Sequence, residues 1–380
     1  MDFSFADHHL LIRDTVREFM QTEVRPHVKD WERTDHFPLD AIKKLGALGC
    51  CGMLLPEEWG GPGLDTLSYV LMLEEVAKVH AAMATAISVT NSAVQTPLLG
   101  FGTDQQRNRF LRRLATGDIL GAFCLTEPAA GSDAAGIQCV SVRTGDGYTL
   151  NGTKTWVTNG STAGLFVVFA KTDPAAAGKG ITAFLLEPNT PGLKIGRHED
   201  KMGQRSSPSV EILLDNCNVP ESARLGEEGQ GLKIALSALD NGRIGIASLA
   251  VGLAQGALDE SAKYARARRA FGKSIGEFQA IQWMLADMHT ELEAARALVY
   301  QAAQLKETGG KMGSAASRAK LYATEMANRV VYKAVQIHGS LGYSRESEVE
   351  RMYRDARVLT IYEGTSEIQR TIIARDLLRP

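Results

Sequence analysis

The spacing of apolar residues changes twice along this 380-residue chain, and that change restricts the fold more than any other feature. Leu10, Leu11, Val16, Phe19, Met20 and Val24 form one helical stripe, with Arg13, Asp14, Arg17 and Glu18 on the other side. A short helix over 38–48 follows, then a loop over 54–63 punctuated by glycine and proline. The Ala-rich stretches 67–79 and 82–99 predict largely buried helices. Residues 104–115 predict an amphipathic one with Gln105, Arg109 and Arg112 outward. Near residue 120 the texture becomes that of strands. Val140, Val142, Tyr148 and Leu150 alternate around the turn pair Asp146-Gly147, and Asn151-Gly152 and Asn159-Gly160 read as further turns. The runs 165–169, 181–186 and 210–214 read as buried strands. From Leu232 onward long helical patterns return at 232–267, 276–308, 314–337 and 349–359, with a short terminal helix last. The expected architecture is α+β and mostly α: an all-α part over 1–120, a β part over 121–231 and a helical bundle over 232–380.

Charge narrows the function classes. Forty-two basic residues against 44 acidic ones leave a formal charge of −2, so nothing draws the chain toward nucleic acid or an anionic membrane. The five cysteines, Cys50, Cys51, Cys124, Cys139 and Cys217, form no CxxC pair, which suits a reducing compartment. The eight histidines show no HExxH and no metal-ligand spacing, so no metal site is expected. The amino terminus has no basic segment followed by an apolar run, and no apolar stretch reaches the roughly 18 residues of a membrane span. A cytoplasmic protein, or a processed one of the mitochondrial matrix, is the expectation.

Five stretches carry chemistry. Near the end, Glu363 stands between Tyr362 and Gly364, just before a helix that Thr365 or Ser366 caps and whose first turn carries Glu367. A carboxylate held there against an apolar cavity would gain proton affinity; a surface glutamate is the plainer reading. Residues 122–133 run from a strand into a loop of small residues, where Thr126 and Ser132 can face a polar ligand edge or simply turn the chain. Trp156 and Thr158 share one face of a strand, as a flat heterocycle or an ordinary core would require. Arg266, Arg268 and Arg269 concentrate charge at a helix end that suits a pyrophosphate or only the helix dipole. Residues 336–343 form a glycine-punctuated helix end, where exposed N–H groups can reach phosphate and His338 is either a base or structural. Neither GxGxxG behind a strand nor GxxxxGK[ST] is present.

In this order, AFCLTEPAAGSD (122–133), NGTKTWVTNG (151–160), RRAFGKSIGEFQAIQ (268–282), QIHGSLGY (336–343), YRDAR (353–357) and IYEGTSEIQR (361–370) resemble the acyl-CoA dehydrogenase family over essentially the whole chain. The resemblance implies a homotetramer with FAD between the β part and the carboxy-terminal helices, reaching a neighbouring subunit. It assigns Phe123, Leu125, Thr126, Ser132, Trp156 and Thr158 to the flavin, with Thr365 and Glu367 closing that site. Arg268, Phe271, Gln279, Gln336, Gly339 and Ser340 would hold the diphosphate and adenosine across the subunit boundary. Relatives often carry Thr where this chain has Ala270, which removes one hydrogen bond to the cofactor. Ser132, Asp240, Arg243 and Gly364 match positions that contact the acyl-CoA.

The resemblance also makes Glu363 the base that takes the α-proton of an acyl thioester while the β-hydride passes to flavin N5. Some relatives place the base immediately before an arginine matching Arg243, a position that is Gly242 here. The stretches SVTNS (88–92) and ALDNGRIGIASLAVGLAQGALD (238–259) are most similar to short-chain, butyryl-CoA enzymes, though short branched-chain relatives share much of them. Decarboxylating glutaryl-CoA relatives carry an arginine where this chain has Ala84. An electron-transfer flavoprotein is the expected electron acceptor. An acyl-CoA oxidase and a non-catalytic scaffold of the same fold are the competing readings.

Overall fold

The computed structural model describes residues 5–310 and 312–379. The first part is helical: α1 (Asp7–Phe19), α2 (Val28–Thr34), α3 (Leu39–Ala47), α4 (Thr66–Val79), α5 (Ala81–Ser88), α6 (Thr96–Phe101) and α7 (Asp104–Ala115). Asp65 caps α4 by accepting from the Ser68 N–H, and Thr103 and Gln106 close a reciprocal capping box on α7. On α1 the expected stripe is half right. Val16, Met20 and Val24 are buried, but Leu11 is 69% exposed, because adjacent helical residues point about 100° apart and Leu10 and Leu11 cannot share a face.

The single helix expected over 82–99 is instead α5, a π-helical segment (Val89–Gln95) and α6. Pro97 near the start of α6 cannot donate to the ladder, which breaks the regular repeat on its amino-terminal side. Side chains brace the loosened turn. Asn91 Nδ2 donates to the carbonyls of Cys50 (3.0 Å) and Ile87 (3.1 Å), and Gln95 Nε2 donates to that of Cys51 (2.6 Å).

The β part comprises β1 (Leu120–Cys124), β2 (Val140–Thr144), β3 (Gly147–Thr158), β4 (Ala163–Lys171), β5 (Ile181–Leu186), β6 (Leu193–His198), β7 (Ser209–Pro220) and β8 (Arg224–Leu225). Their order is β6-β7-β3-β2-β4-β5-β8, with β1 parallel to β4. The apolar runs of β4 and β5 are continuous because both faces are covered. Leu165, Val167 and Phe169 meet Phe110, Leu111 and Leu114 of α7, while Phe166, Val168 and Phe184 meet Tyr148, Leu150 and Ile212 inside the β part.

Three expectations within it are corrected. Thr144 pairs with Gly147, so the β2–β3 turn is Gly145-Asp146, with Gly145 at φ 59°. Asn151-Gly152 is no turn but a bulge inside the unbroken β3, where the register to β7 shifts. Val142 faces solvent and not the core, since it pairs with Thr149 on the opposite face from Tyr148 and Leu150.

The rest is helical: α8 (Gly231–Ala267), a small hairpin of β9 (Arg269–Ala270) and β10 (Lys273–Ser274), α9 (Gln279–Glu307), α10 (Met312–His338), α11 (Glu348–Ala356) and α12 (Ser366–Leu377). By length and composition α8 is apolar enough to cross a membrane, but most of that stretch is buried inside the protein. Its residues Ile244 to Leu258 share one continuous core with Tyr69, Leu71 and Leu73 of α4, Leu292 and Val299 of α9, and Met326 and Val330 of α10. The two helical parts, far apart in sequence, are one packed body.

Candidate active site

Between α11 and α12 the chain must reverse within a few residues, and it does so through two consecutive left-handed positions, Glu363 (φ 54°) and Gly364 (φ 90°). Glycine adopts this conformation freely, whereas a glutamate held there costs about 1–2 kcal/mol. The reversal is anchored on both sides. Tyr362 Oη lies 3.2 Å from Thr85 Oγ1 of α5, and Thr365 caps α12 through the Ile368 N–H. Gln369 Nε2 donates to the carbonyls of Glu363 (3.3 Å) and Gly364 (2.9 Å), and Lys320 Nζ of α10 donates to that of Gly364 (2.7 Å).

This geometry drives the Glu363 carboxylate toward α8. Its Oε2 is buried without a hydrogen-bond partner. A Cβ built on Gly242 would lie 2.5 Å from that oxygen, so the absent side chain of Gly242 is the space the carboxylate occupies. Burial raises the Glu363 carboxyl to about 7, against the opposing pull of the Lys320 and Arg243 cations. Arg243 itself is buried and donates from Nη1 to Asp240 Oδ1 at 2.5 Å. Among the described residues the Glu363 backbone N–H has no acceptor. One turn further along α8, a Cβ on Gly245 would meet Ser88 Oγ at 2.5 Å and Tyr69 Oη at 2.7 Å, and those two hydroxyls bond each other at 3.0 Å. The pair Tyr69–Ser88 is fully enclosed.

The flavin-side candidates gather near α5 as well. Asn159, which follows Thr158, donates from Nδ2 to the carbonyls of Ala86 (3.0 Å) and Gly121 (3.1 Å), so the end of β3 and the Glu363 turn are tied to adjacent residues of α5. Trp156 occupies a second bulge of β3 at φ 58° and stands 58% exposed, with Thr158 half-buried on the same side. The Thr155 N–H donates to the Thr126 carbonyl (2.9 Å), which sets Leu125 and Thr126 beside Trp156. Phe123 packs on Phe169 with ring centroids 4.9 Å apart. The loop that carries exposed Ser132 is pinned at its base by a buried ion pair, Lys154 Nζ to Glu127 Oε1 at 2.6 Å. An indole projecting from the sheet next to hydroxyls and backbone is a surface that a flat ring system fits. Glu367 is exposed in the first turn of α12.

The remaining candidates lie elsewhere. Exposed Arg268, Phe271 (95% exposed) and Gln279 surround the β9–β10 hairpin, and exposed Gln336, Gly339 and Ser340 lie at the end of α10. Tyr264 stacks on His338 at 4.4 Å, which brings these two groups to one end of the bundle. It also gives His338 a structural role, its Nδ1 bonded to the Ala334 carbonyl at 2.8 Å. From Gly242 to Arg268 is about 39 Å along the axis of α8, farther than one dinucleotide bridges. Within a single chain the Arg268 group therefore lies far from Gly242 and the Glu363 carboxylate seated on it.

Sequence reasoning missed Lys320, Tyr69 and the steric part played by Gly242. The one available signal was a lysine on the apolar face of α10, flanked by buried Ala316, Ala319 and Ala323.

Residues 6–118, 122–217 and 229–378 match the N-terminal, middle and C-terminal domains of acyl-CoA dehydrogenase. The chain is 42% identical over 379 residues to a short-chain specific acyl-CoA dehydrogenase of Clostridium acetobutylicum, covering all of both chains. It superimposes on butyryl-CoA dehydrogenase of Megasphaera elsdenii with a TM-score of 0.98 and 43% identity, again over 100% of each chain. A chain in a structure of the electron transferring flavoprotein of Acidaminococcus fermentans matches with a TM-score of 0.99 and 44% identity over 100% of each chain. The protein belongs to the acyl-CoA dehydrogenase family, FAD-dependent oxidoreductases that act on CH–CH bonds, and has its three-part fold.

Proposed function

We propose that this member of the family dehydrogenates a short-chain acyl-CoA at its α,β bond, with Glu363 as the base and an electron-transfer flavoprotein as the electron acceptor. The observation that carries the reading is the Oε2 atom of half-buried Glu363, itself buried without a hydrogen-bond partner and seated on Gly242. The α-proton of a thioester is weakly acidic, so its removal needs a base of raised proton affinity. Burial gives Glu363 that affinity, while Lys320 and Arg243 keep it partly ionised at neutral pH. Charge then develops on the thioester oxygen, and the unengaged N–H of Glu363 is a donor that could stabilise it. FAD, when bound, accepts the β-hydride at N5. Phe123, Leu125, Thr126, Ser132, Trp156 and Thr158 would hold its ring system, with Thr365 and Glu367 closing the site. Arg268, Phe271, Gln279, Gln336, Gly339 and Ser340 would hold the far end of the cofactor of a neighbouring chain.

The enclosed Tyr69–Ser88 pair, one helical turn from the base, supports a small acyl group, and Asp240, Arg243, Ser132 and Gly364 are assigned to the acyl-CoA. Ala84 is buried and brings no cation for a distal carboxylate, which argues against a glutaryl substrate. The 39 Å separation (about, along α8) and the exposed rings of Phe271 and Tyr343 support a homotetramer. The likeness to a chain in an electron transferring flavoprotein structure supports that partner.

The test is an anaerobic titration of the yellow protein with butyryl-CoA, branched short acyl-CoAs, octanoyl-CoA and glutaryl-CoA, followed by flavin absorbance. Bleaching by butyryl-CoA with little response to octanoyl-CoA is expected. Glu363→Gln should bind FAD and bleach at least about a thousandfold more slowly. Wild-type protein that holds FAD and is bleached by none of these thioesters would overturn the reading.

A further inference from the structure

The turn that aims Glu363 is held in an unusual way. A neutral donor suffices to hold a backbone carbonyl, and Gln369, itself fully buried, supplies one to both Glu363 and Gly364. Yet the Gly364 carbonyl also receives the ammonium of Lys320, a lysine with no exposed surface. A buried lysine is expensive to desolvate, so its retention beside an already satisfied carbonyl points to a use for its charge.

The groups around the Glu363 carboxylate identify that use. Lys320 approaches from α10, Arg243 from α8 and Tyr69 from α4, and Tyr362 precedes it in the turn. Both tyrosines are held neutral by burial. Arg243 is bonded to Asp240, which offsets its charge. No carboxylate among the described residues forms an ion pair with Lys320. Desolvation lowers Lys320 to about 8; the Glu363 charge opposes this most strongly, Arg243 adds to the lowering, and Glu325 of α10 and Glu367 of α12 oppose it more weakly.

We infer that Lys320 and Gln369 are positioning residues for Glu363: both hold the left-handed turn by its carbonyls, and Lys320 in addition sets a cation behind the carboxylate. This rests on the reading of Glu363 as the base. Gln369 acts on geometry alone, while Lys320 acts on geometry and on proton affinity. The two roles separate in a pH profile.

The experiment measures the rate of flavin reduction by butyryl-CoA in the holoenzyme between pH 5.5 and 9.5, for wild type, Lys320→Met, Lys320→Gln, Lys320→Arg and Gln369→Leu. Loss of the cation makes Glu363 harder to ionise, so Lys320→Met should move the acidic limb of the profile up by about one unit. That is about a tenfold loss at pH 6, with rates converging on a wild-type plateau above pH 9, where Lys320 itself is neutral. Lys320→Gln keeps a donor for the Gly364 carbonyl without the charge and should shift the limb equally; it carries the test if the methionine variant folds poorly. Lys320→Arg should leave the limb in place. Gln369→Leu should lower the rate severalfold at every pH without moving the limb. An unmoved limb in both uncharged variants overturns the role of Lys320, and an unchanged rate in Gln369→Leu overturns the clamp. Failure of the base assignment would look different: Glu363→Gln would then reduce its flavin at the wild-type rate.

Discussion

Glu363 is poorly placed for stability, and that can be measured. Its carboxyl is raised from 4.5 to about 7, so the folded chain binds this proton more tightly than the unfolded one. The contribution of this group is therefore most favourable below pH 4.5 and is lost as pH rises through about 7. Glu363→Gln removes the buried charge. It should raise the unfolding free energy in urea at pH 8 by roughly 1–3 kcal/mol, with the difference closing toward pH 5. Gly242→Ala tests the seat of the carboxylate: the added Cβ, 2.5 Å from Oε2, should displace the base and slow flavin reduction by about 30-fold or more while FAD stays bound. At this scale legibility depended on context in the chain. Glu363 stood out because it sits between Tyr362 and Gly364 before a capped helix, and a resemblance then gave it a role. Lys320 left only a charge on an apolar stripe, because its partner is a carbonyl 44 residues away that no local pattern reveals.

At the scale of elements, long periodic segments were the most readable. Residues 232–267 were expected as one helix and α8 spans Gly231–Ala267, since its core-facing residues recur without interruption. The misreadings fall where one residue changes the backbone rule. Gly152, at φ 146° and with its missing Cβ 2.9 Å from Cys139, reads as a turn when it is a bulge in a paired strand. Pro97 divides an Ala-rich run whose composition favours a single helix. Close approach of helices was likewise invisible. Cβ atoms on Gly252 and Gly256 of α8 would lie 2.2 Å from the Glu74 carbonyl and 2.5 Å from the Lys78 carbonyl of α4. These glycines improve contact with α4 at the expense of helix propensity. Gly252→Ala, which ought to stabilise an isolated helix, should therefore lower the stability of the protein by about 2 kcal/mol in urea unfolding.

At the scale of the whole molecule, the proposal that the two groups of cofactor candidates serve neighbouring chains is testable through flavin retention. Arg268→Ala combined with Phe271→Ala alters no residue near Glu363 in its own chain, yet it should weaken FAD retention by about tenfold or more, read by dialysis and flavin fluorescence. Dilution that dissociates the oligomer, followed by light scattering, should release flavin in parallel; a monomer that keeps its FAD would contradict the arrangement. The three-part order was legible from periodicity, but the union of the first and last parts was not, because it rests on α4 meeting α8 across the whole β part. That union has a consequence for synthesis on the ribosome. When α4 has emerged, the partner that covers Tyr69, Leu71 and Leu73 has yet to be translated, and at typical elongation rates α8 is complete only roughly 10–40 s later. For that interval the nascent chain carries an uncovered apolar surface, which makes it a natural client of holding chaperones and leaves a product truncated at residue 230 prone to aggregate.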